Sequence, residues 1–318
     1  MSVIIPPTRS FPAAAAWGIF AAMLAGSVSA EDWEIVPASI QLQGAFDRAQ
    51  LLVREKTEKP DRAADLTHRV RYESSDPNVV SVTPTGGLLA IANGQATVTA
   101  FHQGESRQAT VKATGVEENP RIDFAGQVLP ILSKAGCNAG ACHASQYGKG
   151  GFKLSVFAFE PSNDYDAILR DRQGRRVNWI SPERSLLLRK PTLELAHGGN
   201  QRLRKGSPDY HILRAWLVGG GPQSSQDAPK VVGIKITPSR LIASLDRSNQ
   251  ENAQQQLRVV ATHSDQTERD VTCWAKFDSM DEGVATVSED GLIGVHGRGQ
   301  APIMVRFAGQ AEISMVVS

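Results

Sequence analysis

Between residues 35 and 115 the apolar positions come in short runs separated by polar turns. Leu51-Leu52-Val53 is one run, residues 70–72 a second and Val79-Val80-Ser81-Val82 a third. Gly86-Gly87 supplies a turn, Ala96-Thr97-Val98-Thr99-Ala100 alternates, and residues 108–113 close the segment. A period of two sends alternate side chains to opposite faces, so this stretch predicts a small β-sandwich. The pattern returns near the other end of the chain. Pro77-Asn78-Val79-Val80-Ser81-Val82 is answered by Glu282-Gly283-Val284-Ala285-Thr286-Val287, and Gly94-Gln95-Ala96-Thr97-Val98 by Gly299-Gln300-Ala301-Pro302-Ile303. Two copies at this separation predict a duplicated sandwich and exclude a solenoid, which needs more and shorter repeats.

The middle has another texture. Residues 123–134 read as helical apart from Pro130, with Phe124, Val128 and Ile131 on one stripe. Ser207 followed by Pro208 is an N-cap with proline at the first helical position, Leu213, Trp216 and Leu217 give that helix a buried face, and Gly219-Gly220-Gly221 stops it. Long coil is expected between the two helices. The predicted layout is a signal peptide at 1–30, a sandwich at 31–117, a mainly α-helical unit at 118–222 and a second sandwich at 223–318.

The leader reading rests on a small, apolar, alanine-rich run at 11–26, and on Val28-Ser29-Ala30, whose small residues suit a signal peptidase. Export to the periplasm or cell surface follows, with no integral membrane segment once the leader is cut. Charge adds little: 34 Lys and Arg against 33 Asp and Glu leave +1, which gives no electrostatic reason for a nucleic-acid partner. The arginines at 170, 172, 175 and 176 are interrupted by acids and read as a solvated face. Cys273, in the alternating segment 271–277, reads as a buried strand cysteine.

Chemistry concentrates in Cys137-Asn138-Ala139-Gly140-Ala141-Cys142-His143. Two thiols ahead of a histidine suit covalent haem attachment: the thiols add to the two vinyl groups and the histidine takes the iron. The spacing is two residues longer than usual, and the four small intervening residues let such a loop lie against a haem edge. Structural zinc lacks a second cysteine pair. A Cys137–Cys142 disulfide and a Cys-His nucleophile remain open. No methionine lies in the middle unit, so the sixth ligand is sought at His197, beside Gly198-Gly199, with His211 as the weaker candidate and an open position as a third reading. Arg175, Arg176, Arg189 and Lys190 are candidates to hold haem propionates.

These residues, with Gly150-Gly151-Phe152-Lys153-Leu154-Ser155, Asp164-Tyr165, Gly174-Arg175-Arg176-Val177-Asn178, Ser185-Leu186-Leu187-Leu188-Arg189-Lys190-Pro191-Thr192 and His197-Gly198-Gly199, resemble the planctomycete-type cytochrome c domain. The flanking units resemble bacterial immunoglobulin-like group 2 domains, on Asp76-Pro77-Asn78-Val79-Val80-Ser81-Val82 and the later copy. The arrangement is similar to the N-terminal part of larger planctomycete multidomain proteins. The resemblance implies one covalent haem c at Cys137, Cys142 and His143, with His197 opposite. The expected function is electron transfer with a redox partner or an envelope component. The alternatives are a haem enzyme or ligand sensor, or an envelope adhesion or structural protein carrying a haem domain. Whether the chain is an enzyme, and its oligomeric state, stay open.

Overall fold

The computed structural model of this protein describes residue 1 and residues 32–245 and 254–318. The leader expected at 1–30 lies, but for Met1, outside the described residues. Two β-sandwiches flank a mainly helical segment, as the alternation and the helix signals predict.

In the first sandwich a four-stranded sheet runs in the order Ser39–Gln43, Glu105–Thr114, Gly94–His102, Arg71–Ser74. Facing strands are Arg48–Gln50, Gly87–Ala90 and Val80–Val82, with Trp33–Val36 paired to Leu52–Glu55. Val80, Val98, Ala109 and Val111 are fully buried between them. The second sandwich repeats the scheme. Arg240–Ile242, Gln310–Val317, Gln300–Phe307 and Lys276–Ser279 form its four-stranded sheet. In both copies the first strand pairs parallel with the last, Ile40 opposite Val111 and Leu241 opposite Val316. A cis X-Pro bond precedes each of these strands, at Pro37 and Pro238. Cys273 falls in a turn just before the strand Lys276–Ser279 and packs against the core, which pushes its thiol up to about 12.

The helical segment opens with a π-helical turn, Phe124–Val128, capped by the Asp123 carboxylate, which accepts from Gly126 N at 2.6 Å. It continues as α1, Leu129–Lys134, with Pro130 in its first turn directly after the π-helical turn. A second helix, α2, spans Pro161–Leu169, where the sequence predicts coil. Its inward residues are Asp164, Ala167 and Ile168, so a carboxylate occupies a buried position and hides the helical period. Ser155 explains the tolerance: its N–H and hydroxyl donate to the two Asp164 oxygens at 2.5 and 2.6 Å. After the short α3, Leu186–Arg189, comes α4, Pro208–Val218, whose Ser207 cap accepts from Tyr210 N at 3.2 Å.

Asp209, in the first turn of α4, ties the three parts together. It accepts from Arg48 of the first sandwich and, at 3.3 Å, from Trp274 Nε1 of the second. Arg48 and Arg269 lie over the Trp274 ring at 5.0 and 4.7 Å, and Arg269 pairs with Asp47 at 2.7 Å. Charge-assisted bonds around a fully buried tryptophan couple the sandwiches to the helical segment more firmly than any exposed ion pair would.

Candidate functional site

A cavity of about 300 Å³ opens in the helical segment. Its apolar wall includes Leu132, Phe152, Leu186, Leu187 and Pro191, and two imidazoles, His143 and His197, face it. The rings lie 6.3 Å apart between centroids with 19° between their planes. His143 Nδ1 bonds to Phe152 O at 3.1 Å and His197 Nδ1 to Asn200 O at 2.8 Å. With Nδ1–H donating to a carbonyl in each ring, Nε2 is left as the lone-pair nitrogen. Burial, with His197 nearby, holds His143 below the ordinary imidazole range.

The loop carrying His197 is strapped by cations. Lys190 Nζ donates to Ala196 O at 3.3 Å, Lys149 Nζ to Gly198 O at 3.3 Å and Arg202 Nε to Gly199 O at 2.7 Å. Three ammonium or guanidinium groups on neighbouring carbonyls fix a loop that has no helix or strand of its own.

The cysteine loop is ordered by backbone bonds, among them Cys142 N to Ala139 O at 2.9 Å and His143 N to Cys137 O at 3.0 Å. Asn138 is buried and donates to Ser133 Oγ at 2.7 Å, so it anchors the loop and does not line the cavity. Cys137 lines the cavity, and burial pushes its thiol up to about 12. Cys142 is not on the wall, and neither cysteine is in a disulfide. Among the other candidates, Arg175, Arg176 and Lys190 reach the cavity. Arg189 pairs with Glu194 at 3.7 Å away from the wall, and His211 stacks on Phe46 at 6.2 Å, facing the first sandwich. Lys149 and Arg172 line the cavity without having been singled out in the sequence. Arg170, paired with Asp166 at 2.7 Å, and Arg172 and Arg175 are exposed, as the solvated-face reading expects, whereas Arg176 is buried.

Residues 45–113 match the model of the bacterial Ig-like domain (group 2), which bears out the expected resemblance of the first sandwich. No curated protein matches the chain. Among solved structures, domains 5–6 of the S-layer protein SbsC are 12% identical, covering 91% of this chain and 97% of that one, with a TM-score of 0.34. A SusE-like surface-located polysaccharide-binding protein from the Bacteroides thetaiotaomicron heparin utilisation locus is 9% identical, covering 90% and 34%, with a TM-score of 0.18. Extracellular domains 3–5 of Drosophila OTK are 11% identical, covering 91% and 62%, with a TM-score of 0.18. No functional argument is drawn from likenesses this distant.

The expectation that the chain is an electron-transferring c-type cytochrome is corrected. The family match, over residues 45–113, is to an Ig-like module. Among the described residues no three His, Cys, Asp or Glu gather into a metal-binding group. The two thiols, moreover, do not share the cavity wall, as attachment along one porphyrin edge would want. No helix among the described residues is long and apolar enough to cross a membrane.

Proposed function

We propose that this chain is an envelope adhesion or structural protein, working at the periplasmic or cell-surface location that agrees with its Ig-like module, and that its helical segment holds a ring-shaped ligand. The observation that carries the reading is the Ig-like match at 45–113 together with the same strand order in the second sandwich. Sandwiches of this kind present loops and edges to partners, and the junction at Asp209 presents the helical segment with them.

The ligand is the second part of the proposal: one haem c, held between His143 and His197 with Cys137 as the thiol on the same wall. Near-parallel imidazoles, each with its Nδ1 at a main-chain carbonyl, support it. Bound there, the group would supply a flat coordinated iron centre. The chain's own part is to hold the ring by His143 and His197, to line it with Phe152 and Leu187, and to keep the His197 loop in place through Lys149, Lys190 and Arg202.

The test is co-sedimentation of the purified, exported protein with isolated envelope fractions, alongside mass spectrometry for covalent haem. Binding that persists in Cys137→Ala and His143→Ala variants is the expected result. Loss of binding to every fraction in the wild type would remove the adhesion reading, and a mass without haem after competent maturation would remove the cofactor.

A further inference from the structure

The loop from Asn178 to Ser185 is closed on itself. Asn178 N donates to Ser185 Oγ at 2.9 Å across its base, and the Asn178 side chain accepts from Ile180 N at 3.1 Å and Ser181 N at 2.8 Å. Arg184 N donates to Ser181 O at 2.8 Å and Ser185 N to Pro182 O at 3.0 Å. These bonds hold Trp179 and Ile180 outward, 49% and 96% exposed and off the wall of the cavity. The Trp179 ring lies against Gly221, where a side-chain carbon would meet it at 2.9 Å, and Val218, at the end of α4, is also exposed. Single apolar residues at a surface are ordinary. An adjacent Trp-Ile pair fixed outward by side-chain and main-chain bonds is apolar surface prearranged for burial against a partner.

The charge around this loop is one-sided. Residues 166–190 hold seven Arg and Lys against three Asp and Glu, in a chain whose net charge is +1. Two of those acids are already neutralised, Asp166 by Arg170 at 2.7 Å and Glu183 by Arg214 at 2.7 Å. Arg184, inside the loop, is exposed and among the described residues pairs with no acid. The tip is convex. A side chain that projects as fully as Ile180 needs a matching pocket in a protein partner, whereas a bilayer admits it anywhere, and tryptophan is the ring that settles at the headgroup level.

We infer that the 178–185 loop docks this protein on an anionic lipid surface, with Trp179 and Ile180 entering the headgroup region and Arg184 pairing with lipid phosphates. The inference rests on the envelope location in the proposed function and names lipid as the partner there. In a peripheral contact of this kind apolar burial and attraction to anionic headgroups reinforce each other.

The experiment is flotation of the purified, exported protein with vesicles of phosphatidylglycerol and phosphatidylethanolamine in equal parts, with phosphatidylcholine vesicles as the neutral comparison. Binding to the anionic vesicles is expected to be about fivefold tighter or better, and to weaken as salt is raised. Ile180→Ser should weaken it about tenfold, the effect of losing one buried aliphatic side chain, and Ile180→Trp should strengthen it. Arg184→Gln should cost about fivefold on the anionic vesicles and nothing on the neutral ones. Both positions are exposed, so thermal melts of these variants should match the wild type and show that any loss is not unfolding. No binding to anionic vesicles, equal binding by wild type and Ile180→Ser, or binding to envelope fractions that is abolished by stripping their proteins would each overturn the inference. A protein that sediments with envelope fractions but ignores vesicles loses only this inference. One that binds vesicles through Ile180 but no envelope fraction keeps it and loses only the adhesion reading, so the two failures are distinguishable.

Discussion

His143 and His197 lie across the cavity with their rings 19° from parallel and 6.3 Å apart, each held by an Nδ1 bond to a main-chain carbonyl. If these rings clamp one haem, His197→Ala must open one face of it. The absorption spectrum of the haem-loaded variant is expected to change from low-spin to high-spin or solvent-ligated, and an unchanged spectrum removes His197 from the ligand set.

Asp209→Ala should loosen the join between the sandwiches and α4. It leaves Arg48, whose side chain is 16% exposed, without its carboxylate and takes the acceptor from Trp274 Nε1. A loss of about 2 kcal/mol is expected, seen as a lower thermal midpoint and as earlier proteolytic cutting between 115 and 122. A melt identical to the wild type would show that the three parts are held without this contact.

The repeated glycines carry the same burden in both sandwiches. Gly94 has φ +154° and a side-chain carbon there would meet Val79 Cγ1 at 3.0 Å; Gly299 has φ +137° and would meet Val284 at 3.1 Å. Gly94→Ala and Gly299→Ala should each cost about 1–3 kcal/mol in denaturant unfolding. Gly140→Ala in the cysteine loop, where nothing lies within 4 Å, is the neutral control.

Asp164 gives a pH signature. Burial raises its carboxyl above the ordinary range, against the two Ser155 bonds. The folded state therefore binds its proton more readily than the unfolded chain does. The stabilisation from this linkage is full below the unfolded value, about 3.9, and is lost as pH rises through the folded one. In Asp164→Asn that slope should vanish while the Ser155 contacts persist, and Asp164→Ala should lose about 1–3 kcal/mol for stranded donors. Chemical denaturation from pH 4 to 7 checks both; the same slope in wild type and Asp164→Asn would locate the linkage elsewhere.

The sandwiches were legible because their signals are local. Alternation around Val80 and Val98, the Gly94 and Gly299 turns and the Ser207-Pro208 cap each act within a few residues, and the backbone obeys them. α2 was not legible, since Asp164 occupies a core position that only Ser155, nine residues back, makes tolerable.

The sequence by itself determined two sandwiches, the segment between them, and which residues had the chemistry to build a site there. Tertiary structure decided who meets whom. It brought His143 to His197 across 54 residues, put Arg172 and Lys149 on the same wall, turned Arg189 to Glu194 and His211 to Phe46, and left Cys142 off the cavity. The reason is physical: alternation and caps are fixed by neighbours along the chain, whereas a cavity is made by loops whose positions depend on long-range carbonyl and ion-pair partners.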